Sequence, residues 1–167
     1  MSRVFWRSLV VSAALLAPVR VGADVIVGAT PPDLLGTIDG EPIRLSDNPD
    51  KVRIVTFWAS WCPPCRKELP ILAQIQAKVG TDRLQVYAIN SREDRRTYRK
   101  LSRKLDRLSD MVFLHDRDGT ISDSYGLEGL PLMIILDRSG NIAHIHRGYS
   151  DSIVDMLIAE LNLLLAS

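Results

Sequence analysis

The chain has two cysteines, Cys62 and Cys65, separated by Pro63 and Pro64 within the stretch Trp58-Ala59-Ser60-Trp61-Cys62-Pro63-Pro64-Cys65-Arg66-Lys67-Glu68-Leu69-Pro70. A bridge closing so short a loop restricts the unfolded chain little, so a purely structural disulfide would contribute little stability. A Cys-x-x-Cys between an apolar β-branched run and a helical pattern reads instead as a redox pair. Early helical positions need no backbone donor, so Pro63 and Pro64 fit there, and their fixed φ keeps the pair within bridging reach. The remaining candidates for chemistry are His115, His144 and His146. His144 and His146 alternate on a predicted strand and share a face, but no set of four ligands has the spacing of a structural zinc site. They are read as surface residues, and neither a resident metal nor a cofactor is expected. Transient Cu(I) binding by Cys62 and Cys65 stays open, because soft thiolates suit that ion.

The elements that must position the pair follow from periodicity. Residues 52–58 are nearly continuous in apolar and β-branched types, which predicts a central strand buried on both faces. A helix is expected over 62–79, with Leu69, Leu72, Ile75 or Gln76, and Val79 on its buried face, a kink at Pro70 and a stop at Gly80. Residues 84–90 form the next strand, and the short connection predicts parallel pairing through a right-handed crossover. Before this unit, Thr37 and Ile38 meet 42–45 in a hairpin turning at Asp39-Gly40. After it come a helix over 92–108, a strand over 111–114, a helical turn over 118–125, strands over 132–136 and 142–146, and a closing helix over 151–165 capped by Ser150 or Asp151. The 92–108 helix carries Tyr98, Leu101, Leu105 and Leu108 on one side and eight Arg and Lys residues elsewhere. That surface reads as a solvated basic face or as a dock for an acidic partner.

At 167 residues with no repeat, one domain is expected, over 34–167, after a leader over 24–33. Arg3 and Arg7 precede an apolar run, and Val21-Gly22-Ala23 supplies small residues for a signal peptidase, so residues 1–23 read as a signal peptide. The apolar segment is about 12 residues long against the roughly 20 that span a bilayer, so a retained membrane anchor is the alternative. Both place the protein outside the cytoplasm, in a periplasmic or similar compartment. Loss of Arg3, Arg7 and Arg20 shifts the formal charge from +1 to −2, a balance that names no partner; nucleic acid is not expected.

Three features in this order resemble the thioredoxin superfamily: Trp61-Cys62-Pro63-Pro64-Cys65, Pro70 five residues on, and Gly129-Leu130-Pro131 before the penultimate strand. Phe57 to Trp61, the leading hairpin, the extra helix before Met111 and Leu136-Asp137-Arg138-Ser139-Gly140 narrow the resemblance to the extracytoplasmic TlpA-, ResA- and CcmG-like thiol:disulfide oxidoreductases. It implies an α/β thioredoxin-like fold with a central mixed sheet, helices on both faces and an N-terminal β-hairpin. It also implies Cys62 at a helix N-terminus, Pro131 in a cis peptide and a protein-disulfide reductase activity. One departure stands out: cytoplasmic thioredoxins carry a buried Asp where this chain has Thr56, whereas Glu68 matches a glutamate of the extracytoplasmic branch.

In that frame Cys62 is the expected attacking thiolate, stabilised by the unpaired amides of the first helical turn, and Cys65 the resolving cysteine. Glu68, one turn beyond Cys65, is either its proton acceptor, with a pKa raised by burial, or an exposed partner of Arg66 or Lys67. Trp61, Pro63, Pro64, Leu130 and Pro131 are expected to touch substrate, the Leu130 backbone pairing with an extended segment, while Trp58 belongs to the core. The implied partners are a client protein with a disulfide or cysteine pair and a membrane thiol reductant; a monomer is expected. An oxidant of secreted proteins, or a metal-delivering or client-binding module without turnover, are the rival readings.

Overall fold

The computed structural model describes residues 25–105, 110–150 and 152–166; the 1–23 segment, Leu108 and the Asp151 cap lie outside them. Two short strands, β1 (Leu34–Ile38) and β2 (Glu41–Arg44), form the hairpin. Its turn residues Asp39 and Gly40 both take positive φ, 51° and 90°, which the twist of a two-residue hairpin demands. The main sheet is built from β3 (Val52–Trp58), β4 (Leu84–Ser91), β5 (Val112–Asp116), β6 (Leu132–Leu136) and β7 (Ile142–Arg147), in the order β5-β4-β3-β6-β7. Strand β3 lies at the centre, parallel to β4 and antiparallel to β6, and β4 is parallel to β5. This is the mixed sheet that the resemblance implies.

Alternation along β3 divides the core in two. Val52, Ile54 and Trp58 face α1 (Pro63–Val79), α2 (Arg95–Leu105) and α4 (Ile153–Ala166), whereas Val55 and Phe57 face the hairpin and α3 (Thr120–Ser124). Arg53 interrupts the apolar run and is nevertheless buried: its guanidinium donates to the carbonyls of Leu45 (3.3 Å), Asp137 (2.9 Å) and Arg138 (3.2 Å). A buried cation needs such acceptors.

Several boundaries differ from expectation. Helix α2 starts at Arg95, because Asp94 accepts from the N–H of Arg96 (2.9 Å) and of Thr97 (3.0 Å) and so caps it. Strand β5 extends to Asp116, and α3 is shorter than the 118–125 turn. On α4, Ile153, Leu157, Leu161 and Leu165 are buried and Ile158 is exposed, since four-residue steps from 153 leave 158 off the stripe. The 24–33 leader is docked from Val25 onward: Gly28 N–H donates to Ile142 O (2.8 Å), Ile142 N–H to Ala29 O (2.9 Å) and Tyr125 Oη–H to Pro32 O (2.5 Å).

Candidate active site

The C-terminal ends of β3 and β4 and the start of β6 meet at one rim of the sheet. In register, Trp58 lies opposite Asn90, and Phe57 opposite Leu132, so Pro131, one residue ahead of β6, sits level with the end of β3 at the same rim. The loop of residues 59–61 leaves β3 there and enters α1. Cys62 is the N-cap residue, with extended φ of −89° and ψ of 102°, and Pro63 and Pro64 occupy the first two helical positions. The helix therefore begins one residue later than the 62–79 expectation.

Cys62 and Cys65 are joined by a disulfide, with Cα atoms 5.4 Å apart. The Cys65 N–H points at Cys62 Sγ, 3.2 Å away. A sulfur in that position receives the partial positive charge of a helix N-terminus, which favours a thiolate over a thiol once the bond is reduced. Cys62 is only 3% exposed, and Cys65 is fully buried. Trp61, 69% exposed, presents its ring to solvent beside them.

Glu68 is 3% exposed, so the alternative of an exposed residue pairing with Arg66 or Lys67 is set aside. Its Oε1 accepts from Thr56 Oγ1–H at 2.6 Å, and its buried Oε2 has no hydrogen-bond partner among the described residues. Burial pushes its pKa from 4.5 to about 7, the Thr56 hydrogen bond opposing this in part. Thr56 thus holds the Glu68 carboxyl group by its hydroxyl.

The Leu130–Pro131 peptide is cis, and Pro131 O accepts from Gly148 N–H at 2.8 Å. Leu130 packs against both halves of the core. Beside the pair, Pro63, Pro64 and Lys67 face Tyr149 and Ser150 across an open groove of ≈ 420 Å³. The histidines do not converge: His144 and His146 both contact Glu160 of α4 (3.2 and 2.8 Å), while His115 lies on β5, 2.8 Å from Glu93 O. His146 is largely covered, a correction to its reading as a surface residue, because α4 packs over that face of β7.

The Redoxin family profile matches residues 26–158. The chain belongs to the Redoxin family. Its fold and relatives place this Redoxin member among the ResA- and DsbE-like thiol:disulfide oxidoreductases of the thioredoxin superfamily. It is 28% identical over 125 residues to the thiol-disulfide oxidoreductase ResA of Geobacillus thermodenitrificans, covering 74% of this chain and 71% of that one. With the thioredoxin-like protein YneN of Bacillus subtilis the identity is 36% over 124 residues, 72% of this chain and 71% of the other. Among solved structures, a Chlorobium tepidum protein assigned as a thiol:disulfide interchange protein DsbE matches with a TM-score of 0.72 and 29% identity, over 85% of this chain and 99% of that one.

Two residues at the rim were not singled out from sequence: Ser60 and Glu93, joined by 2.8 and 2.5 Å hydrogen bonds. The only available signal was Asn90-x-x-Glu93, whose two members the expected strand over 84–90 and helix over 92–108 assign to different elements.

Proposed function

We propose that this Redoxin-family protein works outside the cytoplasm as a reductant of client disulfides, taking electrons from a membrane thiol donor. The observation that carries the reading is the bonded Cys62–Cys65 pair capping α1, with a buried carboxyl group one helical turn further on. In the reduced protein the Cys62 thiolate attacks a client disulfide, forming a mixed disulfide and releasing one client thiolate. Cys65 passes its proton to the Glu68 carboxylate, and its thiolate attacks Cys62 Sγ. The mixed disulfide breaks, the second client thiolate leaves and takes up a proton, and the Cys62–Cys65 bond forms. Two electrons have then moved to the client, and the donor dithiol restores the reduced pair.

A Glu68 pKa of about 7 suits this step, because a group titrating near ambient pH both accepts and returns a proton. Trp61, Pro63, Pro64 and the Leu130–Pro131 rim form the client-contact surface, an exposed aromatic beside a groove. A client presenting a cysteine pair in an extended segment fits it, as an apocytochrome c or a copper-site assembly protein would. Export rests on the charged, apolar and small-residue order of residues 1–23.

Insulin reduction with a supplied dithiol tests the activity: Cys62→Ser should abolish turnover, and Cys65→Ser should accumulate mixed disulfide. Wild-type turnover in Cys62→Ser would sink the assignment. Titration against glutathione tests direction. A potential well below the about −180 mV of protein disulfide isomerase supports a reductant, and one near about −120 mV an oxidant.

A further inference from the structure

Glu93 is a carboxylate that the exchange chemistry does not use, yet it is only 8% exposed. Three donors converge on it: Ser60 N–H reaches Oε2 at 2.8 Å, Ser60 Oγ–H reaches Oε1 at 2.5 Å, and Asn90 Nδ2–H reaches Oε2 at 2.6 Å. A carboxylate is tolerated out of water only when its lone pairs are met in this way. The backbone is bent to bring it there. Arg92 takes a φ of 54°, a left-handed conformation disfavoured for a residue with a Cβ. It is held in it by its N–H to Asp116 O (2.9 Å) and its guanidinium to Asp123. The carbonyl of Glu93 lies 2.8 Å from His115 Nε2, and the His115 ring stacks on Tyr98 with centroids 4.4 Å apart. Residue 93 is therefore fixed from β5 and α2 before it meets the loop.

The loop is the one that carries the redox pair. Cys62 N–H donates to Ala59 O at 3.1 Å, so residues 59–62 form a single turn with Ser60 inside it, Trp61 exposed on it and Cys62 capping α1 at its end. We propose that Glu93, braced by Asn90, is a positioning residue for the disulfide exchange: it grips the 59–62 turn through Ser60 and so fixes Cys62 Sγ at the N-terminus of α1. It acts on the sulfur only through Ser60. The proposal rests on the reading of Cys62 as the attacking thiolate.

The two ways of breaking the grip have different signs. The Cys62 thiolate is favoured by the unpaired amides of the first turn, so a loosened turn raises the pH at which the thiol ionises. Removing the Glu93 charge lowers that pH, because a nearby anion disfavours a second one. Ser60→Ala deletes a hydrogen bond and leaves every charge in place, including those of Glu68, Arg66 and Lys67 on α1. It is therefore the deciding variant.

The test is the pH profile of iodoacetamide alkylation of the reduced full chain, with the labelled cysteine identified by mass spectrometry and stability followed by urea unfolding. Ser60→Ala should move the Cys62 midpoint up by about half a pH unit or more, and Ser60→Thr, which keeps the hydroxyl, should restore it. In a Glu93→Leu background, where the side chain can accept no hydrogen bond, the Ser60→Ala shift should vanish, since both changes cut one connection. An unmoved midpoint in Ser60→Ala, with or without a loss of stability, overturns the proposal and leaves Glu93 a purely structural carboxylate. So does a Ser60→Ala shift that persists undiminished beside Glu93→Leu. First labelling at Cys65 would overturn the assignment of the attacking cysteine itself, a result separate from either midpoint.

Discussion

A carboxyl group that has one hydrogen bond and one bare buried oxygen resists ionisation, and Glu68 is in that position. Its raised pKa makes a prediction for stability. The folded protein holds the proton to about pH 7, whereas the unfolded chain loses it near 4.5, so the contribution is complete below 4.5 and is lost as pH rises to about 7. The full swing is about 3 kcal/mol. Urea unfolding of the oxidised protein should therefore show stability falling across that window, and Glu68→Gln should flatten it. Thr56→Val should move the Glu68 titration above its wild-type position, because the hydrogen bond it removes favours the charged form; infrared titration of the carboxyl would read the shift. Trp61→Ala should raise the KM for a client peptide while changing stability by no more than about 0.5 kcal/mol, the usual range for an exposed side chain. Of these residues, Cys62, Cys65, Trp61 and Glu68 stood out in the sequence by type and spacing. The burial of Glu68 did not, since helical spacing alone leaves an i+3 glutamate free to face water or core.

At the scale of elements, α1 both packs the core and aims the cysteines, and the two roles separate by position. Leu72 is fully buried against the sheet two turns beyond Cys65, so Leu72→Ala should cost about 2–5 kcal/mol of stability and leave the alkylation profile of Cys62 where it was. Helix α2 bears Arg95, Arg96, Arg99, Lys100 and Arg103 around an open groove, and none of the ion pairs among the described residues involves them. If that face docks an acidic client, kcat/KM for an acidic disulfide peptide should fall as salt rises from about 0.01 M to about 0.15 M while a neutral peptide is unaffected; equal responses would mean a merely solvated face. The strands and long helices were legible because hydrophobic periodicity is strong in 52–58, 84–90 and 153–165. The start of α2 was misread because basic residues continue the pattern back to Arg92, whose positive φ no periodicity reports; the Asp94 cap was the better signal.

Across the whole molecule, the mixed sheet and the cis Pro131 beside a helix-capping Cys62 followed from the family resemblance more than from local pattern. The Ser60–Glu93 contact did not follow from either. It joins positions 33 residues apart, and it exists only because the chain reverses at Arg92 between β4 and α2. Long-range polar contacts of this kind depend on a backbone path, and a single sequence carries no periodic trace of one. The docking of residues 25–32 has a consequence for how far the redox pair can travel. Val25 is already buried in the core, and Gly28 and Ala29 are bonded to Ile142. Cleavage after Ala23 would leave one residue ahead of a packed side chain, about 3.5 Å of chain, whereas a retained anchor, its apolar run ending at Val19, would leave five, at most about 17 Å. A cleaved protein would search for clients by diffusing as a whole body, whereas an anchored one would have only a short tether and would hold its disulfide close to the membrane. Inserting a flexible spacer after Asp24 should then change the rate of reduction by a membrane donor in the anchored case and not in the cleaved one.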